Sequence, residues 1–172
     1  MAARSTKSGL LCRPSRKQRM SLLSLHNQNF PKSRWNEKSL KKYFSNKKRR
    51  PLCITIGNKD KLTGLIIGRL SPINKSKLNL ATLLVSHRYR GKGWGETLMR
   101  EFFKSAVKIP SLQIIYLHFR DSNSPLENFY KRFGFGKHKI RGKYADGEKK
   151  HYVEISRKSI QKYLKNFSPC LK

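Results

Sequence analysis

Apolar and polar positions along this chain recur with two periods, and the switches between them lay out the elements. A short apolar run over residues 9–14 ends at proline and predicts a strand. From Ser15 the spacing becomes helical, with Met20, Leu22 and Leu23 inward and Arg16, Lys17 and Arg19 outward. After a break over residues 29–31, Ser33 can cap a second short helix whose apolar face is Trp35, Leu40, Tyr43 and Phe44. Residues 47–50, KKRR, could mark a nuclear or nucleic-acid segment, but a solvated connection between helix and strand accounts for them. Strands follow at Leu52–Gly57 and Leu62–Leu70, with residues 58–61 as the hairpin connection, and a third at 78–86. A helix over about 92–107 repeats Leu98, Phe102 and Ala106. The rest reads as a strand at 113–119, a helix at 125–133, a segment at 135–140 and a last strand around 151–155. Residues 156–167 form a basic amphipathic tail with helical spacing, and no internal repeat or low-complexity linker occurs.

The stretch LLVSHRYRGKGWGETLM, from Leu83 to Met99, joins a strand to a helix through a glycine-rich turn. Gly91, Gly93 and Gly95 remove side chains that would keep a phosphate from the backbone, and the first N–H groups of the helix supply donors and partial positive charge. Arg90 and Lys92 add full charges beside them. An ordinary tight turn is the competing reading, and the turn by itself does not separate the two.

Composition narrows the class. A chain of 172 residues fits one domain, read as a core over about 9–156 with a basic tail at 157–172. Lys and Arg number 40 against nine Asp and Glu, for a formal net charge of +31. Nucleic acid, a ribosome surface and a phosphate-rich cofactor all suit that charge, as does a lineage whose proteins are simply lysine-rich. The three cysteines, Cys12, Cys53 and Cys170, lack CxxC spacing, so neither zinc nor a disulfide framework is expected, and a reducing, cytoplasmic setting fits. No stretch has the apolar length of a membrane span, and the serines and arginines of the N-terminal region read as fold rather than as a transit peptide.

The order strand, RGKGWG, helix, strand, then NSPLENFYKRFGF resembles the GNAT superfamily of acetyl-CoA-dependent N-acetyltransferases. Arg90, Gly93 and Gly95 match that family's first motif, Q/R-x-x-G-x-G/A, which wraps the cofactor pyrophosphate. Asn123, Tyr130, Gly134 and Phe135 match the second, with Leu126 where alanine is usual. YLHFRDSN, KYADGE and FPKSRWNEKSL are similar to protein Nα-acetyltransferases, both eukaryotic catalytic subunits and the bacterial enzymes for ribosomal protein N-termini; Lys143 stands where a first tyrosine of a pair is usual. The resemblance covers nearly the whole chain. It implies an α/β (α+β) GNAT fold: a mixed sheet of about six to seven strands with a splayed cofactor cleft, flanked by about four helices.

It also implies the site. Acetyl-CoA, with no metal, is expected against Leu83, Leu84, Val85, Arg90, Gly91, Lys92, Gly93, Trp94, Gly95, Glu96 and Asn123, a strand N–H there serving the developing oxyanion. His118 is expected to accept the amine proton through water, with Tyr89 beside it, and Tyr130 to protonate the coenzyme thiolate. Taken without the resemblance, His118 and Tyr130 read as core residues. Phe30 and Tyr144 are expected on the acceptor side. A protein or peptide N-terminus, including one on the ribosome, is the expected acceptor. The alternatives are a small amine on the same fold, or a basic RNA- or ribosome-binding module built on a degenerate one.

Overall fold

The computed structural model describes residues 7–10, 15–30, 34–45, 51–57, 61–123 and 125–166. The expected strand residues 11–14, Ser33, the basic loop 47–50, the hairpin residues 58–60, Cys12 and Cys170 lie outside them. The strands are β1 (Lys7–Leu10), β2 (Leu52–Gly57), β3 (Leu62–Leu70), β4 (Lys77–Val85), β5 (Ile114–Arg120), β6 (Gly136–Lys143) and β7 (Lys149–Ser156). The helices are α1 (Arg16–Asn29), α2 (Glu37–Ser45), α3 (Trp94–Ala106), α4 (Pro125–Lys131) and α5 (Arg157–Asn166). All strands join one sheet in the order β1-β2-β3-β4-β5-β7-β6, in which β4 and β5 alone run parallel.

Each face of the sheet carries its own core. Leu98, Met99, Phe102, Phe103 and Ala106 of α3 are wholly buried against one face, together with Tyr130, Phe133 and Ile160. On the other, Leu22, Leu23 and Leu25 of α1 and Leu40 of α2 pack on Cys53, Leu65, Ile67 and Leu84. Strand β3 is therefore buried on both sides, which explains its run of apolar and small residues from Leu62 to Gly68.

Local chemistry sets the helix ends. Ser15 and Gln18 form a capping box on α1, with Gln18 N donating to Ser15 Oγ at 3.3 Å and Ser15 N to Gln18 Oε1 at 2.9 Å. The α2 cap is Asn36 rather than Ser33: Ser39 N donates to Asn36 Oδ1 at 2.7 Å, one turn later than the spacing of apolar residues suggested. Two side chains of α1 also depart from expectation. Met20 is 51% exposed, because Leu22, Leu23 and Leu25 already fill the face. Arg19 is half-buried, reaching Glu37 at 3.4 Å.

Residues 157–166 of the expected tail are bound to the fold, and 167–172 lie outside the described residues. α5 buries Ile160 and packs Tyr163 and Leu164 on the α3 core. Arg157 donates to the carbonyls of Val107 (2.8 Å), Ile109 (3.1 Å), Pro110 (2.9 Å) and Leu112 (3.3 Å), satisfying the chain that leaves α3.

The functional geometry begins where β4 leaves β5. Ile67 pairs with Thr82 and Gly68 with Leu80, so Ala81 is an extra residue that bulges from β4. The bulge exchanges the faces of the strand: Leu78 and Leu80 before it face the α3 core, whereas after it Leu83 and Val85 do and Leu84 turns to α1. The parallel pairing to β5 ends at Asn79 and Tyr116, so beyond it Leu83–Val85 and Leu117–Arg120 diverge.

Gly68 fixes how closely α3 approaches this region. A Cβ there would lie 2.6 Å from the ring of Phe102, which is fully buried and has nowhere to move. Gly68→Ala is expected to cost about 1–3 kcal/mol by overpacking, read as a lower denaturant midpoint at unchanged m.

Candidate active site

Where β4 and β5 part, a cleft of about 850 Å³ opens between the β4 end, the start of α3 and the face of α4. Its wall brings together Leu83, Leu84, Val85, Tyr89, Arg90, Gly91, Gly93, Trp94, Gly95, Glu96, Asn123, Tyr130 and Phe30, all expected site residues. Lys92 is not part of the wall; it is exposed, its ammonium 5.9 Å from the Tyr89 ring centroid. Asn29, Leu126, Phe129 and Arg132 also line it and were missed. Arg132 lies two residues after Tyr130, one helical turn from Phe129, and that spacing could have marked it.

The turn is built to leave its backbone open. Gly91 and Gly93 have φ of +72° and +76°, which side chains with a Cβ rarely adopt, and a Cβ at either would touch nothing within 4 Å. The space beside them is therefore free for a ligand. Gly93 is the residue before α3, whose first N–H groups are unpartnered within the helix and present a partial positive charge. Gly95 serves close packing instead, since its Cβ would meet the Phe129 ring at 3.4 Å. Arg90 buttresses the turn, donating from Nε to Val85 O at 3.1 Å and from an Nη to Asn29 Oδ1 at 2.7 Å. Arg132 pairs with Glu96 at 3.1 Å across the rim.

Tyr130 reaches the cleft from the α3 core, and burial pushes its phenol well above the ordinary tyrosine range, so it holds its proton at neutral pH. The helix and turn that carry Tyr130 and Asn123 are tied to the sheet by a chain of side chains. Asp121 Oδ1 lies 2.6 Å from His151 Nε2, His151 Nδ1 2.6 Å from His138 Nε2, and His138 Nδ1 3.6 Å from Glu127 of α4.

His118 is not in this cleft. It lies on the opposite face of β5, in a hollow of about 360 Å³ lined also by Arg69, Asn79, Tyr116, Tyr144 and Lys150. Between hollow and cleft is a third space of about 470 Å³, lined by His26, Phe30, Trp35, Tyr43, Arg69, Ala81, Thr82, Arg120 and Tyr144. Phe30 is common to cleft and middle space; Arg69, Ala81 and Tyr144 to middle space and hollow. The three thus follow β4 from Val85 down to Asn79. His118 lies two residues beyond the last pair, Asn79–Tyr116, and shares the hollow with Ala81. Burial, with Lys150 and Arg141 nearby, pushes its imidazole down to about 4, so it is neutral at physiological pH.

Tyr144 begins the tight turn between β6 and β7 and is held from several sides. The Arg120 guanidinium lies 4.1 Å from its ring centroid and also grips Asp146 at 2.7 Å and Glu148 at 2.8 Å. Glu148 accepts from Ser122 N at 2.7 Å, and these donors hold its carboxyl down to about 2. No group of three or more His, Cys, Asp or Glu side chains that could hold a metal ion occurs among the described residues. Nor is any described helix long and apolar enough to cross a membrane.

The sequence profile of the acetyltransferase (GNAT) family matches residues 19–135, more than half of the chain. The chain belongs to the GNAT acetyltransferase family. As a GNAT protein it is an acyltransferase of a family that uses acetyl-CoA. An N-alpha-acetyltransferase of Sulfurisphaera tokodaii is 36% identical over 78 residues, a match spanning 45% of this chain and 47%, about half, of that protein. Naa50 of Arabidopsis thaliana, solved with the bisubstrate analogue CoA-Ac-MVNAL, is 25% identical with a TM-score of 0.69, over 87% of this chain and 98% of that one. The ribosomal-protein-S18-alanine N-acetyltransferase of Escherichia coli shares the fold at 16% identity and a TM-score of 0.68, over 87% and 94% of the two chains.

If the glycine turn is the GNAT pyrophosphate cradle, Gly93→Ala carries two penalties. The left-handed conformation costs about 1–2 kcal/mol, lowering Tm by several degrees, and the new methyl stands at the cradle, weakening coenzyme A binding measured by calorimetry.

Proposed function

We propose that this GNAT acetyltransferase transfers acetyl from acetyl-CoA to the α-amino group of a protein or peptide N-terminus. The observation that carries this reading is the middle space, which leads away from the cofactor cleft at Phe30 between α1–α2 and the β6–β7 turn and is walled by Phe30, Trp35, Tyr43 and Tyr144. An extended main chain fits such an aromatic channel, and the similarity to N-alpha-acetyltransferases supports the same acceptor. Arg69 and Lys150 around the channel make it repel polycationic small amines.

The cleft accounts for the cofactor half. The main-chain edge of Leu83–Val85 that faces away from β3 is available, apart from the Val85 O held by Arg90, to the pantetheine arm and its carbonyl, the glycine turn with the start of α3 takes the pyrophosphate, and Asn123 closes the opposite wall. Bound there, acetyl-CoA supplies an activated thioester. The thioester carbon then gains the acceptor nitrogen and loses the thiolate. Tyr130 gives the thiolate its proton, for which a buried phenol with no hydrogen bond to its hydroxyl among the described residues is suited. His118, neutral and in the hollow that Ala81 also lines, takes the amine proton through water, with Tyr89 lining the cleft nearer the turn.

A panel of peptides with free and blocked α-amines, lysine peptides and small amines, read by coenzyme A release and acceptor mass, tests the acceptor class. Acetyl on the α-amine is expected; transfer only to small amines would replace that class. Tyr130→Phe is expected to keep acetyl-CoA binding and lose about 10²–10⁴-fold in kcat, and unchanged turnover would remove Tyr130 from the reaction.

The His118 shift also sets a pH profile. Because the folded imidazole titrates at about 4 and the unfolded one near 6.5, stability is unaffected above about pH 6.5 and declines as pH falls towards about 4. In kcat/KM the rise should follow the acceptor α-amine, about 7.7–8.0, with slope one and no His118 limb at pH 6–7. A slope of two through that range would return His118 to its ordinary value.

A further inference from the structure

Arg69 of β3 faces the acceptor side of the sheet, where it lines both the middle space and the hollow that holds His118. Its guanidinium lies 6.0 Å from the centroid of the Tyr43 ring and forms no ion pair with any described residue. The residue is half-buried and lines both spaces, so its charge faces them with no counter-ion among the described residues.

Among the described residues no carboxylate pairs with it. Around the acceptor spaces, Asp146 and Glu148 are committed to Arg120, Asp121 to His151 and Glu154 to the Tyr152 hydroxyl. The remaining acidic side chains among the described residues pair with lysine or arginine elsewhere. Lys150 lines the same hollow, and Arg141 acts on His118 from beside it, so the positive field there is shared by three cations.

Position says where on the acceptor a balancing charge must stand. Arg69 pairs with Asn79, four residues along β4 from Leu83 in the cofactor cleft. At about 3.3 Å per residue that is roughly 13 Å, a span that three or four extended acceptor residues cover. The reach of the arginine side chain shortens the requirement further.

Resting on the reading that the acceptor is a peptide α-amine, we propose that Arg69 is a specificity residue selecting N-termini with an aspartate or glutamate at the second to fourth position. The acceptor carboxylate meets the guanidinium side-on, which favours Arg over Lys because two parallel N–H donors match two oxygens. A peptide with lysine at the same position meets Arg69 and Lys150 as like charges and is rejected.

The test uses the full chain, acetyl-CoA and peptides that differ only as Glu or Gln at position 2, 3 or 4, with mass spectrometry locating the acetyl group. The wild type should favour Glu over Gln in kcat/KM by ~tenfold or more at one of these positions. In Arg69→Gln the ratio should fall close to one, and in Arg69→Lys it should lie between. Taking the ratio within each protein removes any general loss of activity. Since the formal charge is +31, removing one charge leaves the diffuse field almost intact, so a preference due to overall charge would survive the substitution. Equal use of Glu and Gln by the wild type, or a preference kept in Arg69→Gln, would overturn the proposal and leave the α-amine acceptor standing. Failure to acetylate any peptide α-amine would overturn both.

Discussion

The parting of β4 from β5 is the constraint on which the rest of this molecule depends. A continuous sheet would pair Leu83–Val85 with its neighbour, and those main-chain groups would be spent on the ladder. Ala81 prevents that. As an extra residue in β4 it turns the strand, exchanges its faces and ends the parallel pairing at Asn79 and Tyr116. The edges so exposed do not invite aggregation, because α3, α4 and the turn at 121–123 crowd around the opening and leave a cleft rather than a free edge. Gly68, the partner of Leu80 beside the bulge, lets Phe102 close under the strand.

Electrostatics is the second organising constraint. With nine acidic residues against 40 basic ones, carboxylates are scarce, and the fold places several where one group holds two elements. Glu148 joins Arg120 of β5 to the backbone of Ser122, fixing the turn before Asn123. Asp121 anchors the imidazole chain that reaches α4. Glu96 joins α3 to Arg132 across the cleft rim. The acids thus position the walls of the site, while Arg69 and Lys150, which form no ion pair with a described carboxylate, face the acceptor spaces.

The sequence already displayed the glycine turn, the second motif and most wall residues of the cleft, because those positions are dictated locally: a positive φ at Gly91 and Gly93, and the motif spacing from Asn123 to Tyr130. What it hid depends on partners distant in the chain. Arg157 reads as one more cation of a basic tail, and only the approach of four carbonyls from 107–112 makes it structural. Asn36 was masked by Ser33, which is equally able to cap by residue type. The bulge at Ala81 leaves no mark in an apolar run, since LNLATLLV alternates acceptably on either side of it. For the same reason the sequence could place His118 on β5 but not reveal that its face of the strand opens away from the cofactor cleft.

That separation of faces bears on how the proposed acid and base cooperate. A sheet normally isolates the groups on its two sides, and here Tyr130 belongs to the α3 side while His118 belongs to the α1–α2 side. They share access to one reacting centre only where the strands diverge. A thioester held along Leu83–Val85 can then release its thiolate towards Tyr130 while the amine approaches along Ala81 from the other face. The two protons are handled in different environments, one by a phenol whose ionised form burial disfavours, the other by an imidazole kept neutral by burial and neighbouring cations. Because burial holds the phenol above its ordinary range and the imidazole well below its own, neither ionises the other, and each keeps the protonation state that its proposed role requires.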